Sequence, residues 1–447
     1  MSQQSNTNHS QKLGFWTATS VVTGSMIGSG IFLLPASLAH FGSISLGGWL
    51  FTALGSLSLA YVFAKLSQYI RGSGGQYLYC RQAFGPLTGF FTAWGYWLCV
   101  VSANAAIAIA LVSYLTVFFP ALKDSNTLSM LTTLGCIWGL ALINIRGVKL
   151  AGQVQLLTTL LKLLPLVAIA FIGLFYINPE HFQPLNLSEQ SDFSALTATA
   201  ALTMWAFVGM EAANNIAGEI KDPEKNVARA AMLGTLVSAV VYIFGFIAVM
   251  GIIPPETLQQ SNAPYAETAA FLWGDTGYYL IAACAVISCF GALNGWTLAV
   301  AQIPLAAAKE NMFLSTFGKL SRFQTPANGI IISTILVSLL VLMNYNESLI
   351  DQFTIVILLS TLTSVLPYLV SSLAHIKMSG KDSIRHSKVN TTITSFAALF
   401  SAWIIYSIGM KTVIFGVILL LAGFPMYWYL QRKSANQSLN DKIVDTH

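Results

Sequence analysis

Gly24-Ser-Met-Ile-Gly-Ser-Gly-Ile-Phe-Leu-Leu-Pro35 lies inside the first long apolar segment of a chain of 447 residues. Lipid offers no hydrogen-bond partner, so a segment that crosses a bilayer must satisfy its backbone internally, as a helix. This stretch resists that. Gly28 and Gly30 put two glycines around Ser29, and Pro35 removes a further donor. Open backbone at membrane depth persists only where protein buries it or where it lines a cavity. The stretch therefore reads as a discontinuous helix that presents free N–H and C=O groups to a ligand. Gly24 and Gly28 also form a small-xxx-small pair suited to close helix packing. Spacing alone supports both readings equally.

The rest of the chain is membrane protein from end to end. It is 55% hydrophobic and 9% charged, where a soluble domain carries roughly 25% charged residues, and its mean hydropathy is +0.67. The length suits about twelve helical spans of roughly 20 residues. They are expected near 14–36, 44–69, 86–119, 127–146, 151–177, 194–217, 229–253, 276–307, 328–345, 350–376, 391–410 and 413–431. Apolar runs this long are not barrel strands. Of 22 basic residues, only Lys123 and Lys411 fall in loops on one side, and Lys162 falls inside a span. All the others lie on the opposite side, which the positive-inside rule assigns to the cytoplasm together with both termini. The net charge of +5 reflects that bias and is no signal for nucleic acid. Met1–Gln11 has no basic region leading to a cleavage site, so the first span is expected to be retained. Cys80, Cys99, Cys136, Cys284 and Cys289 show neither metal-ligand spacing nor a disulfide framework.

Two ionisable residues sit where lipid should exclude them. Glu211 alone among 17 acidic residues falls deep in an expected span, within Thr203-Met-Trp-Ala-Phe-Val-Gly-Met-Glu-Ala-Ala-Asn-Asn215. A carboxylate there must be paired, hydrated or protonated. It reads either as a proton carrier or pH-dependent latch, or as a structural acid satisfied by hydrogen bonds. Lys162 lies in the middle of span 5, too deep for easy snorkelling. It reads as a positive charge in place of a coupling cation, as a tether to an unwound neighbour, or as both. Trp16, Trp49 and Trp428 suit interfaces. Trp205 and Trp296 lie mid-span beside small residues and can form a lid or stack on a cationic substrate. Ala206-Phe207-Val208-Gly209 is a soft point in span 6, five spans after the break in span 1. Interrupted helices at corresponding positions of two halves point to a transporter site, so a five-plus-five inverted repeat is inferred.

At this point the residues resemble a family. Gly-Ser-Met-Ile-Gly-Ser-Gly-Ile-Phe-Leu-Leu-Pro-Ala in span 1 is similar to the amino acid/polyamine/organocation (APC) superfamily. The run Leu202 to Ala212 in span 6, the following Lys221-Asp-Pro-Glu-Lys-Asn-Val227, Arg71-Gly-Ser-Gly-Gly-Gln-Tyr77 and Gly291-Ala-Leu-Asn-Gly-Trp-Thr297 narrow it. Together they resemble the basic amino acid/polyamine antiporter branch, near the bacterial arginine/agmatine and putrescine/ornithine exchangers, over about residues 12–430. The resemblance implies an all-α membrane protein with the LeuT-like fold. Its ten-helix core would span 14–376, in inverted halves of about 14–177 and 194–376. Two peripheral helices would occupy 391–431, between tails at 1–13 and 432–447.

The resemblance also implies site residues. The α-amino and carboxylate groups of a substrate would lie on unwound backbone at Ile27, Gly28, Ser29 and Gly30, with Ser25 where the arginine exchanger has an asparagine. Trp205 would cap the substrate from outside, Ala206 and Val208 would lend backbone, and Trp296 would lie against the side chain. Asn104 and the backbone near Cys99 would line the distal pocket, Glu211 would be the pH-linked gating acid, and Tyr96 the inner gate. Three departures stand out. A span-10 serine that holds the guanidinium is matched by Ile357 or Leu358, a span-3 tryptophan by Val101, and a small apolar residue by Lys162. A lysine there is similar to the heterodimeric-type and proton-coupled amino acid transporters of the superfamily.

The expected function is secondary active amino acid transport at a bacterial inner membrane, exchanging a basic amino acid for an amine or another amino acid. The rival within the class is a proton-coupled permease for neutral amino acids, using Lys162 or Glu211. A channel or a transporter-derived sensor is the rival from another class. An enzyme is not expected, because all six histidines lie in tails, in loops or at span ends. No Walker-type loop, metal site or cofactor site is read. The expected partners are small amino acids or amines and the lipid bilayer. Homodimers are frequent in the branch, so one is admitted here.

Overall fold

A computed structural model describes residues 13–70, 75–147, 163–215, 217, 220–379 and 388–433. Helices run in the order α1 (Phe15–Met26), α2 (Ser29–Ala39), α3 (Ser45–Tyr69), α4 (Gln76–Phe84), α5 (Pro86–Leu115), α6 (Ala121–Asp124) and α7 (Asn126–Ile145). They continue with α8 (Leu163–Tyr176), α9 (Asp192–Trp205), α10 (Ala212–Asn215), α11 (Pro223–Ile252), α12 (Pro255–Leu258) and α13 (Pro264–Lys309). The last are α14 (Ala327–Met343), α15 (Leu349–Ser379), α16 (Lys388–Ser407) and α17 (Met410–Leu421). Among the described residues there is no strand, only a single bridge between Leu13 and Ile220. Among the described residues nine helices are long and apolar enough to cross a membrane, counting α1–α2 as one, and α8 and α14 are shorter apolar ones. The first part of expected span 5, 151–162 with Lys162, lies outside the described residues.

Burial separates the centre from the rim. The most apolar window of α5 is 94% buried, whereas that of the last span, Met410–Lys433, is 11% buried. α5 packs against α13 and α15, and α17 lies outside α15. Phe415, Ile418 and Leu421 of α17 face outward, which suits lipid as their solvent. The helices approach closely where side chains vanish. A Cβ on Gly55 would strike Phe400 of α16, and one on Gly416 would strike Leu362 of α15. α13 bends at Gly274 (φ 66°), a conformation open to glycine.

Candidate functional site

Two broken helices meet at the centre. Span 1 breaks between α1 and α2, where Ile27 (φ −76°, ψ 86°) and Gly28 (φ −122°, ψ −140°) leave the helical region. The break is narrower than expected, because Ser29 and Gly30 already open α2. The first N–H groups of a helix have no intrahelical acceptor, so glycine in the first turn forfeits no ladder bond. α2 has no side-chain cap, and the Ser29 hydroxyl is buried without a hydrogen-bond partner. The positive end of the α2 dipole and several donors therefore converge on the break, an arrangement suited to a carboxylate. Ser25 and Gly28 are partly open while Met26 and Ile27 between them are buried.

Span 6 breaks after Trp205, at the expected soft point. Residues 206–211 turn, Gly209 takes φ +110°, and helix resumes at α10. A Cβ on Gly209 would lie 3.2 Å from the carbonyl of Ser25. A Cβ on Gly30 would run into the Trp205 ring. The two breaks are thus in contact through two glycines, and the Trp205 indole lies on the first turn of α2. Phe353 of α15 meets that indole edge-on at 5.5 Å. Ala206, expected to lend backbone, already accepts at its carbonyl from the Tyr242 hydroxyl at 3.0 Å. Val208 is buried in the same turn.

Glu211 is fully buried. Its Oε2 accepts from the Gly209 N–H at 3.1 Å and from the Tyr368 hydroxyl at 2.9 Å, while Oε1 has no partner. Tyr96 stands beside the same carboxyl. The carboxyl therefore ties the broken part of span 6 to α15, with a tyrosine of α5 alongside. Tyr368 was not expected from sequence. The signal was available in an aromatic hydroxyl deep in a span, after the polar run Ser360-Thr-Leu-Thr-Ser364.

The opposite wall comes from α5, α13 and α15. Asn104 donates to Val100 O at 2.9 Å and to the Trp296 carbonyl at 3.2 Å, leaving its buried Oδ1 without a partner. Trp296 is partly exposed. Cys99 is buried, and its carbonyl accepts from the Ser360 hydroxyl at 3.0 Å. Ile357 and Leu358, at the place of the exchanger's serine, are not the residues of span 10 that meet Cys99. Three residues further along α15, Ser360 supplies a hydroxyl, which also lies 3.4 Å from the Cys99 sulfur. Val101 is buried. All five cysteines are free, and no group of three His, Cys, Asp or Glu among the described residues can hold a metal.

The model of the amino acid permease family matches residues 13–440. The chain is 33% identical over 427 residues to the putrescine transporter PotE of Haemophilus influenzae, covering 95% of this chain and 98% of that protein. It is 31% identical to a putative arginine/ornithine antiporter of Bacillus subtilis, covering 95% and 98%. It is also 31% identical to the cadaverine/lysine antiporter of Escherichia coli, covering 83% and 84%. An all-helical membrane chain with paired helix breaks, matched along almost its whole length, belongs to the amino acid permease family of transporters.

Proposed function

We propose that this permease exchanges a basic amino acid for an amine or another amino acid by alternating access. The observation that carries the reading is the contact between the two helix breaks, Gly30 under Trp205 and Gly209 against Ser25. Breaks that meet at mid-membrane leave helix-end donors and carbonyls for the polar ends of a substrate. In this reading the substrate carboxylate, where there is one, binds at Ser29, Gly30 and the backbone of Ile27 and Gly28. Ser25 and Val208 border it, and Trp205 with Ala206 closes it from outside. Trp296, Asn104 and the Cys99–Ser360 pair receive the side-chain end, and an ammonium there meets a ring face, an amide oxygen and a hydroxyl. Tyr96, Glu211 and Tyr368 form the inner closure. Lys162 acts from span 5 as a coupling charge or tether. The relatives' names, all of basic amino acids or diamines, support a cationic substrate.

Two inverted halves, 14–177 and 194–376, would rock about this site, with 391–431 peripheral and both tails, 1–13 and 432–447, in the cytoplasm of a bacterial inner membrane. Small-molecule carriage needs no enzymatic step and no cofactor, and a homodimer is compatible with it. The test is counterflow in proteoliposomes loaded in turn with arginine, lysine, ornithine, putrescine, leucine or buffer. Uptake of label only against an internal cationic substrate is the expected result. Uptake into buffer-loaded vesicles driven by an imposed proton gradient would overturn exchange in favour of a proton-coupled permease.

A further inference from the structure

A second cavity, of about 380 Å³, lies one helical turn beyond the Trp205 lid. Ala201 and Leu202 of α9 line it, and they precede Trp205 by about one turn. Thr354 of α15 lines it too, next to the Phe353 that meets the indole. Its mouth carries Asp351, His40 and Gln259, while Ala36, Ile350 and Leu358 make an apolar wall. Ser37 of α2 and Thr354 hydrogen-bond across it at 2.9 Å. Among the described residues no lysine or arginine lines it. The cavity opens at the C-terminal end of α2 and the start of α15, on the side that the basic-residue bias assigns to the outside.

Asp351 is exposed and held in place. Its Oδ2 accepts from the Ser348 hydroxyl at 2.6 Å, and its N–H donates to the same oxygen atom of Ser348 at 3.1 Å. That reciprocal cap starts α15 and fixes the carboxylate at the cavity rim. Gln259 is fixed by its bond to Ala39 O at 3.5 Å. A pre-positioned carboxylate, neutral hydrogen-bonding groups and an apolar wall match an aliphatic chain that ends in an ammonium.

We propose that this cavity is an outer loading site, where Asp351 holds the ammonium of an aliphatic amine or basic amino acid before the Trp205–Phe353 lid opens. The proposal rests on the cation-exchange reading above. Attraction by an exposed carboxylate is modest, about two- to fivefold in affinity. It grows with the charge of the ligand and fades with salt.

The test measures the KM for putrescine and for lysine separately at the two faces, in intact cells and in everted vesicles. Asp351→Asn should raise the outer KM about two- to fivefold at low ionic strength, more for the doubly charged putrescine than for lysine. The inner KM and the saturated rate should stay at the wild-type value, and high salt should erase the difference. Asp351→Glu keeps both charge and cap and should restore the outer KM. An unchanged outer KM, or equal rises at both faces, would overturn the loading site while leaving exchange intact. A wild-type protein that exchanges no cation would overturn the functional reading instead.

Discussion

Glu211 and Glu310 are both held by a tyrosine hydroxyl, but their surroundings differ in every other respect. Glu310 follows α13 at the membrane edge, where its side chain and that of Arg81 are 37% and 39% exposed in a 2.7 Å ion pair. Tyr77 of α4 donates to its other oxygen at 3.1 Å. Glu211 is buried between a helix break and α15, and among the described residues no cation pairs with it. Solvent screens the first, and protein encloses the second. A pair in water is worth roughly 0–1 kcal/mol, whereas hydrogen bonds to a buried charged group are worth about 1.5–3 kcal/mol each. The same chemical motif is therefore a surface fastening in one place and a candidate switch in the other.

Glu211→Gln should be the largest break in that comparison. The amide oxygen can take the Oε2 position and still accept from the Gly209 N–H and the Tyr368 hydroxyl, so what is removed is the negative charge and the ability to titrate. Counterflow should fall about ten- to a hundredfold, the difference between two charge-assisted bonds and two neutral ones, and its dependence on pH should flatten. A variant with the wild-type pH profile would show that this carboxyl does not titrate during transport. Gly209→Ala comes next. It forces a side chain into φ +110° and against the Ser25 carbonyl, a strain of about 1–3 kcal/mol. The melting temperature and the transport rate should fall together, and an unaltered melting temperature would mean that the break is not held as described. Tyr368→Phe removes one bond from Glu211 and keeps the ring that packs on Phe63 at 5.3 Å. It should cost about 1.5 kcal/mol, the low end for a bond to a charged group, read as a roughly tenfold loss of rate with the pH dependence kept but displaced.

Much of this site was legible because membrane burial punishes irregularity. Gly28 and Gly209 stood out as conformational freedom where a helix was needed, and Glu211 as a charge where none belongs. Their partners were not legible for the same reason. Tyr368 and Ser360 are ordinary in a span rich in Ser and Thr, and only the packing of α15 on α5 and on the span 6 break gives them a role. Matching along the chain put Ile357 or Leu358 at the place of the exchanger's serine. The hydroxyl of α15 that meets Cys99 is that of Ser360, three residues beyond Ile357 and therefore on almost the same face of the helix. The extent of the span 1 break was also beyond the sequence, since the helix that opens at Ser29 brings Gly30 under Trp205, a contact between two distant spans.

Glu310→Gln should give the smallest effect and sharpens the contrast most. Tyr77 and Arg81 use different oxygens of the carboxylate and the amide has only one, so the charge and one of the two bonds are lost, in water, at a site already more than a third exposed. Transport at neutral pH should stay within about twofold of wild type, as the low worth of an exposed pair requires. Tyr77 adds a second readout. Burial first, and the neighbouring Glu310 second, push its phenol up to about 12. In the unfolded chain it would ionise near 10. A group whose folded value is raised favours the fold below its unfolded value and loses that advantage as pH rises towards the folded one. The protein should therefore weaken between about pH 10 and 12 in proportion to that shift. Glu310→Gln should trim this alkaline loss, since one of its two leading causes is gone, and Tyr77→Phe should remove its share outright. Melting curves taken across that window would read both. A transport loss in Glu310→Gln as deep as in Glu211→Gln would mean that exposure does not set the difference between the two carboxylates.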